Sequence, residues 1–92
     1  LGNVSVSPND EYMAYSLDLK GSEYYTIYLR NLSNNNNEKD LIENTSGGIT
    51  WALDSKSFFY SKLDKFHRPR KIYQHILGTK IENDILIFEE NL

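Results

Sequence analysis

Val4-Ser5-Val6-Ser7-Pro8-Asn9-Asp10-Glu11-Tyr12-Met13-Ala14-Tyr15-Ser16-Leu17 is the stretch on which the fold class turns. Its first four residues alternate apolar and small polar side chains, the mark of a half-buried strand. Pro8 then fixes φ while Asn9 and Asp10 tolerate tight backbone geometry, so Pro8-Asn9-Asp10-Glu11 reads as a turn. Tyr12 to Leu17 is a second strand, broken at Lys20-Gly21-Ser22. Residues 24–32 are aromatic and β-branched and read as a third strand. Ser33 and the run Asn34-Asn35-Asn36-Asn37 form a polar loop, Asp40-Leu41-Ile42-Glu43 a short fourth strand, and Ser46-Gly47-Gly48 closes the unit.

The pattern then returns. Ile49-Thr50-Trp51-Ala52 answers Val4-Ser5-Val6-Ser7, and Asp54-Ser55-Lys56 answers the Pro8 turn. Phe58-Phe59-Tyr60-Ser61 answers Met13-Ala14-Tyr15-Ser16, Ile72-Tyr73-Gln74-His75 answers Ile27-Tyr28-Leu29-Arg30, and Leu86-Ile87-Phe88-Glu89 answers Leu41-Ile42-Glu43 with small shifts. The offset of about 45 residues is the length of a four-stranded propeller blade. Several strands are apolar on both faces, as a blade stacked between neighbours requires. The reading is all-β: two four-stranded antiparallel blades of a β-propeller, residues 1–46 and 47–92. Strands are expected near 3–7, 11–17, 24–32, 40–44, 48–53, 57–63, 70–77 and 85–89, with no long helix. The alternative is a small two-sheet sandwich of eight short strands, in which a 45-residue period has no reason to exist.

Composition bounds function. The 92 residues carry 13 acidic and 10 basic side chains, a net charge of −3, which argues against a nucleic-acid partner. No apolar run approaches the roughly 18 residues of a membrane span. The absence of cysteine excludes disulfides, thiolate catalysis and Cys-based zinc sites. No basic-then-apolar leader is seen, so a cytoplasmic location is expected. The first residue is Leu1, and the chain is expected to be a piece of a longer product.

Chemistry-bearing residues are few. No Gly-x-Ser-x-Gly elbow, phosphate-cradling loop or helically spaced His pair occurs. Of the two histidines, His67 reads as a solvated loop residue and His75 as a half-buried strand residue, and a metal site built from both would still need a carboxylate. Lys65-Phe66-His67-Arg68-Pro69-Arg70-Lys71 is a basic patch that reads as a solvated hairpin loop or one side of a salt-bridged contact. Asp18 and Asp64 fall at matching points of the two units, as do Glu43 and Glu89. Positions recurring once per repeat serve turn hydrogen bonds more often than acid–base chemistry. Three Asn-x-Ser/Thr patterns, at Asn3, Asn31 and Asn44, read as unmodified. No residue is expected to be catalytic or to hold a cofactor or metal.

Leu1-Gly2-Asn3-Val4-Ser5-Val6-Ser7-Pro8, Ala14-Tyr15-Ser16-Leu17-Asp18 and Gly21-Ser22-Glu23-Tyr24-Tyr25-Thr26-Ile27 resemble the N-terminal region of the oligopeptidase B (protease II) branch of the prolyl oligopeptidase family of serine peptidases. Arg68-Pro69-Arg70-Lys71-Ile72-Tyr73, His75, Leu77-Gly78-Thr79 and Phe88-Glu89-Glu90 extend the resemblance over essentially the whole chain. The family's usual Ser-Pro-Asp-Gly turn is Ser7-Pro8-Asn9-Asp10 here, and the Asn run replaces a Thr-Gly-type turn, which implies a floppier loop. The resemblance implies a seven-bladed propeller paired with a C-terminal α/β-hydrolase domain that carries the catalytic Ser, Asp and His. It also implies cleavage of short peptides after Arg or Lys, with the propeller restricting access. No triad residue has a counterpart in this chain. Glu23, at the hairpin beside the third strand, is where the resemblance implies a contact with an Arg of the hydrolase domain, and a solvated turn carboxylate is the competing and favoured reading. A non-enzymatic TolB- or WD40-like propeller, a platform for other proteins, is the competing reading.

Overall fold

A hydrogen-bond pattern that occurs twice organises the chain. In the computed structural model, which describes residues 2–90, Ser7 N–H donates to Tyr12 O (2.8 Å) and Ala52 N–H to Ser57 O (2.9 Å). Asp10 N–H closes the first turn on Ser7 O (2.9 Å), and Ser55 N–H closes the second on Ala52 O (3.1 Å). Leu32 N–H bonds Glu11 O and Leu77 N–H bonds Lys56 O, at 2.9 and 3.0 Å. Every pair repeats the offset of about 45 residues read from the sequence. Asp10 and Ser55 both take left-handed backbone, each at φ 61°. Asp10 therefore fills the place usually given to glycine, as its short polar side chain permits. Leu1, which begins the quoted Leu1 to Pro8 run, and Asn91 and Leu92, which end the second unit, lie outside the described residues.

The strands are β1 (Val4–Val6), β2 (Tyr12–Leu17), β3 (Tyr25–Asn31), β4 (Asn36–Thr45), β5 (Thr50–Trp51), β6 (Ser57–Leu63), β7 (Pro69–Ile76) and β8 (Ile85–Glu89). All pairings are antiparallel: β1-β2-β3-β4 is one meander and β5-β6-β7-β8 the other. Three details differ from the sequence reading. Asn36 and Asn37 belong to β4 and not to a loop, because Asn31 pairs with Asn36 and Arg30 with Asn37, and Arg30 Nη1 donates to Asn37 Oδ1 at 3.1 Å. The two units do not form separate sheets: Thr45 of β4 pairs with Lys62 of β6, making one continuous hydrogen-bonded surface. A single 3-10 turn, Ile81–Asn83, interrupts the β7–β8 connection.

The two units do not pack by equivalent faces, and this separates stacked blades from a sandwich. The first unit turns Ala14, Ser16, Ile27, Leu29 and Ile42 toward the second and buries all of them. The second answers with Phe58, Tyr60 and His75, also buried. In the repeat, Phe58 and His75 correspond to Met13 and Arg30, which pair with each other on the opposite face of the first unit. The same holds for ring stacks. Tyr60 lies on Tyr73 at the seam (5.8 Å, 19°), and its counterpart, Tyr15 on Tyr28 (5.4 Å, 19°), lies on the outer face. Front of one repeat against back of the next is the packing of blades in a propeller. Phe58 is covered by Trp51, Tyr60 and His75.

Apolar surface is left on the outermost strands. Ile85, Leu86, Ile87 and Phe88 of β8 are 45–54% exposed, and Val4 and Val6 of β1 are 49% and 45% exposed. Front-to-back packing is heterologous and does not close on itself in two units. The isolated 92-residue chain is therefore expected to associate at micromolar concentration. Leu41, paired with Tyr28 on the outer face and 41% exposed, is the point to test. Leu41→Lys should raise the concentration at which light scattering detects association by about tenfold, the weight of one buried leucine. A wild-type chain that is a clean monomer with a sharp cooperative melt contradicts this packing account.

Candidate functional site

Among the described residues, a cluster of ionisable side chains lies in the interior at the seam. His75 sits mid-strand in β7 on the face turned to the first unit, and its side chain is 0% exposed. It is thus fully buried, where a half-buried residue was expected. Its Nε2 lies 2.6 Å from Asp40 Oδ2 and its Nδ1 2.7 Å from Asp84 Oδ1. Asp40 belongs to β4 of the first unit, and Asp84 follows the 3-10 turn of the second. Each carboxylate has a further donor. Gly78 N–H reaches Asp40 Oδ2 at 2.9 Å, and Tyr60 Oη donates to Asp84 Oδ2. Phe58 packs its ring against the imidazole, centroid to centroid 5.4 Å.

The donor count sets the protonation state. Both ring nitrogens of His75 face carboxylate oxygens that already accept from, or share a carboxylate with an acceptor of, another donor. An ionised carboxylate can only accept, so with both carboxylates ionised the two N–H donors belong to an imidazolium. Burial disfavours the charged ring, but hydrogen bonds and charge from Asp40 and Asp84 outweigh it and hold the His75 pKa above its ordinary value. Burial likewise opposes the Asp40 carboxylate, yet His75 and the Gly78 N–H hold it below the usual carboxylate range. Burial together with the Asp84 hydrogen bond keeps the Tyr60 phenol protonated, its pKa pushed well above the ordinary value.

A second clasp closes one rim of the seam. The β2–β3 and β6–β7 loops meet there, and each gives a ring to the other: Tyr24 Oη donates to Asp64 O (2.8 Å), and His67 Nε2 lies 2.7 Å from Ser22 O. The two rings are 4.0 Å apart. Asp18 and Asp64 shape these loops, as their recurrence implied. Asp18 accepts from Ser22 N–H and Glu23 N–H (3.0 and 2.6 Å), and Asp64 from Phe66 N–H and Arg68 N–H (2.8 and 3.0 Å). Elsewhere Trp51 Nε1 donates to Ser5 O (2.9 Å), Asn9 N–H to Ser55 Oγ (3.0 Å) and Ser16 Oγ to Gly47 O (2.9 Å). Gly47 is at φ 90°, and a Cβ there would come within 3.0 Å of the Tyr25 ring, so the connection between units needs glycine.

The remaining sequence-marked residues lie apart from the cluster. Glu23 is exposed on the β2–β3 loop at φ 65°. Of the basic stretch, Lys65 to Arg68 form an exposed loop, with Arg68 Nε 3.2 Å from Asp64 Oδ2 and the Phe66 ring against Lys65 and Arg68, whereas Pro69, Arg70 and Lys71 belong to strand β7 and not to a loop, because β7 pairs with β6 there. Glu43 on β4, in the middle of the sheet, and Glu89 on the edge strand β8 are both exposed, and Glu89 lies 3.9 Å from Lys71. Asp40, Tyr60 and Asp84 were not marked in the sequence. Among the described residues no group of three or more His, Cys, Asp or Glu side chains is arranged to hold a metal ion.

This stapled pair of blades has close relatives. The family described as "Prolyl oligopeptidase, N-terminal beta-propeller domain" matches residues 1–92. The chain belongs to the prolyl oligopeptidase N-terminal propeller family. It is 34% identical over 80 residues to Protease 2 of Moraxella lacunata, covering 85% of this chain and 12% of that protein. It is 30% identical over 91 residues to Dipeptidyl aminopeptidase BI of Pseudoxanthomonas mexicana, covering 98% of this chain and 13% of that one. The solved structure of Oligopeptidase B from Leishmania major superposes on 98% of the chain with a TM-score of 0.88 at 30% identity, and the chain covers 13% of it. This propeller segment thus spans about an eighth of the length of the proteins it matches.

The cluster has a measurable weight. Tyr60→Phe keeps the ring and its stack on Tyr73 but strips Asp84 of one donor inside the protein. A buried acceptor that loses its partner costs about 1–3 kcal/mol. Denaturant unfolding should show a loss in that range, and a loss below about 0.5 kcal/mol would mean that solvent already serves Asp84.

Proposed function

We propose that the chain supplies two blades, residues 1–46 and 47–92, of the propeller of an oligopeptidase B-like serine peptidase that cleaves short peptides after Arg or Lys. The observation that carries this is the family match over the whole chain, with Protease 2 and Oligopeptidase B among the relatives named above. The chemistry resides in a C-terminal α/β-hydrolase domain, and the cell compartment is the cytoplasm. The blades do no bond breaking. They exclude folded proteins and admit short peptides, which governs what is cut.

The internal chemistry of the chain fits that division of labour. Acyl transfer needs an activated nucleophile, a base and donors for the developing oxyanion. Ser55 is the serine on left-handed backbone, yet it is buried and its Oγ accepts the Asn9 N–H. His75 is engaged at both nitrogens by carboxylates. In this reading Glu23, exposed on a loop whose backbone Asp18 caps, meets an arginine of the hydrolase domain and registers the closed state.

The test uses the full-length polypeptide and the 92-residue chain side by side, with fluorogenic Arg-, Lys- and Pro-terminated peptides and a serine-reactive fluorophosphonate. The expected result is hydrolysis of the basic peptides and labelling of one serine outside residues 1–92, with neither in the short chain. Glu23→Gln should lower kcat/KM on Arg peptides by about tenfold, one charge-assisted contact, without lowering Tm. Labelling of a serine within residues 1–92 overturns the non-catalytic assignment. A full-length protein that binds partners but is neither labelled nor hydrolytic favours the binding-platform reading.

A further inference from the structure

The cluster at the seam is lopsided in a way that gives it a moving part. Asp84 is the deeper carboxylate, 2% exposed, and keeps the Tyr60 hydroxyl whatever His75 does. Asp40 is 7% exposed and borders a cleft lined by Glu38, Lys39, Thr79 and Lys80. It also ties this cluster to the first unit: His75 Nε2 and Gly78 N–H both end on its Oδ2. The titratable groups facing His75 are Asp40 from β4, Asp84 from the segment before β8 and, through Asp84, Tyr60 of β6. Phe58 of β6 covers its ring face, and Tyr73 of β7 backs Tyr60.

We propose that Asp40, His75 and Asp84 form a protonation-controlled latch between the two blades, closed by the His75 imidazolium and released at Asp40 when that proton leaves. A neutral imidazole keeps one N–H and turns a lone pair toward the other carboxylate. Two buried negative charges then face each other across a ring that no longer separates them by charge. The cheaper escape is for Asp40 to swing into the adjoining cleft and hydrate, since Asp84 is deeper and already has a second donor. Gly78 N–H loses its acceptor in the same movement, and the β4 side of the seam loosens.

The pH window follows from the shift directions. His75 is raised in the folded state, so its stabilisation is whole below its unfolded value of about 6.5 and drains away as pH climbs through the folded value. Asp40 is lowered, so its share is whole above about 3.9 and is lost as pH falls through its folded value. The seam is firmest between those two limits and opens from the Asp40 side as pH climbs through the folded value of His75.

Nitrogen-15 NMR of the imidazoles and amide exchange at Gly78, both on the 92-residue chain across pH 5 to 10, form the test. His67 is the only other histidine and supplies a separate resonance. At pH 5 both His75 nitrogens should carry protons. Gly78 protection should then fall by about tenfold, the weight of one charge-assisted hydrogen bond, over the pH range in which His75 titrates and beyond the intrinsic acceleration by base. Asp40→Asn should lower the pKa of His75 and abolish the pH-linked loss at Gly78. If that variant does not fold, the wild-type titration decides alone. A singly protonated His75 at pH 5, or Gly78 protection unchanged through the titration of His75, overturns the latch.

Discussion

A histidine with no access to solvent, hydrogen-bonded at both nitrogens by carboxylates from two blades, is the constraint around which the seam is built. Two carboxylates and one imidazolium leave a net negative charge inside the protein. That is tolerable only because Tyr60 and the Gly78 N–H supply further donors, so each charged oxygen pair is engaged. The geometry is unforgiving. If β7 slid by one residue against β6, His75 would point to the opposite face and Phe58 would lose its partner ring. The cluster therefore fixes how the second blade sits on the first, while the apolar area of Ala14, Ile27, Leu29, Ile42 and Phe58 drives the contact.

Around this centre the seam is layered. Aromatic rings of Trp51, Phe58 and Tyr60 fill the middle, and the Tyr24–His67 clasp closes one rim. The direct sheet link is a single pair, Thr45 with Lys62. Side chains rather than backbone ladders thus hold blade to blade, as expected where neighbours stack face to face. That arrangement suits a propeller whose blades must keep a fixed pitch without merging into one flat sheet. It also leaves the outer face of the first blade, with Tyr15 stacked on Tyr28, shaped like the face that the second blade uses at the seam.

Much of the fold was legible in the residues. The alternation of Val4 to Ser7, the Pro8 turn and their echoes at Ile49 and Asp54 are local signals, and the strands lie where those signals place them. Asp18 and Asp64 were legible as turn formers because an Asx cap reaches only residues within five positions. The seam was not legible. Asp40 meets His75 across 35 residues and two blades, and nothing local marks which face of β7 turns inward. The repeat itself misdirects at this point, since the residue answering His75 is Arg30, half-buried on the other face. The Asn run was misread for a related reason. Asn is a turn former by propensity, but Arg30 and Asn31 of β3 offer partners that draw Asn36 and Asn37 into the ladder.

A double-mutant cycle between the two blades tests the central claim most directly. Asp40→Asn, His75→Gln and the double variant are compared with the parent chain by denaturant unfolding near pH 6, where both groups contribute in full. A coupling energy of about 1.5 kcal/mol or more is the expected result for a buried, charged pair in one network. A coupling below about 0.5 kcal/mol, the level of independent sites, would contradict the view that this contact sets blade against blade.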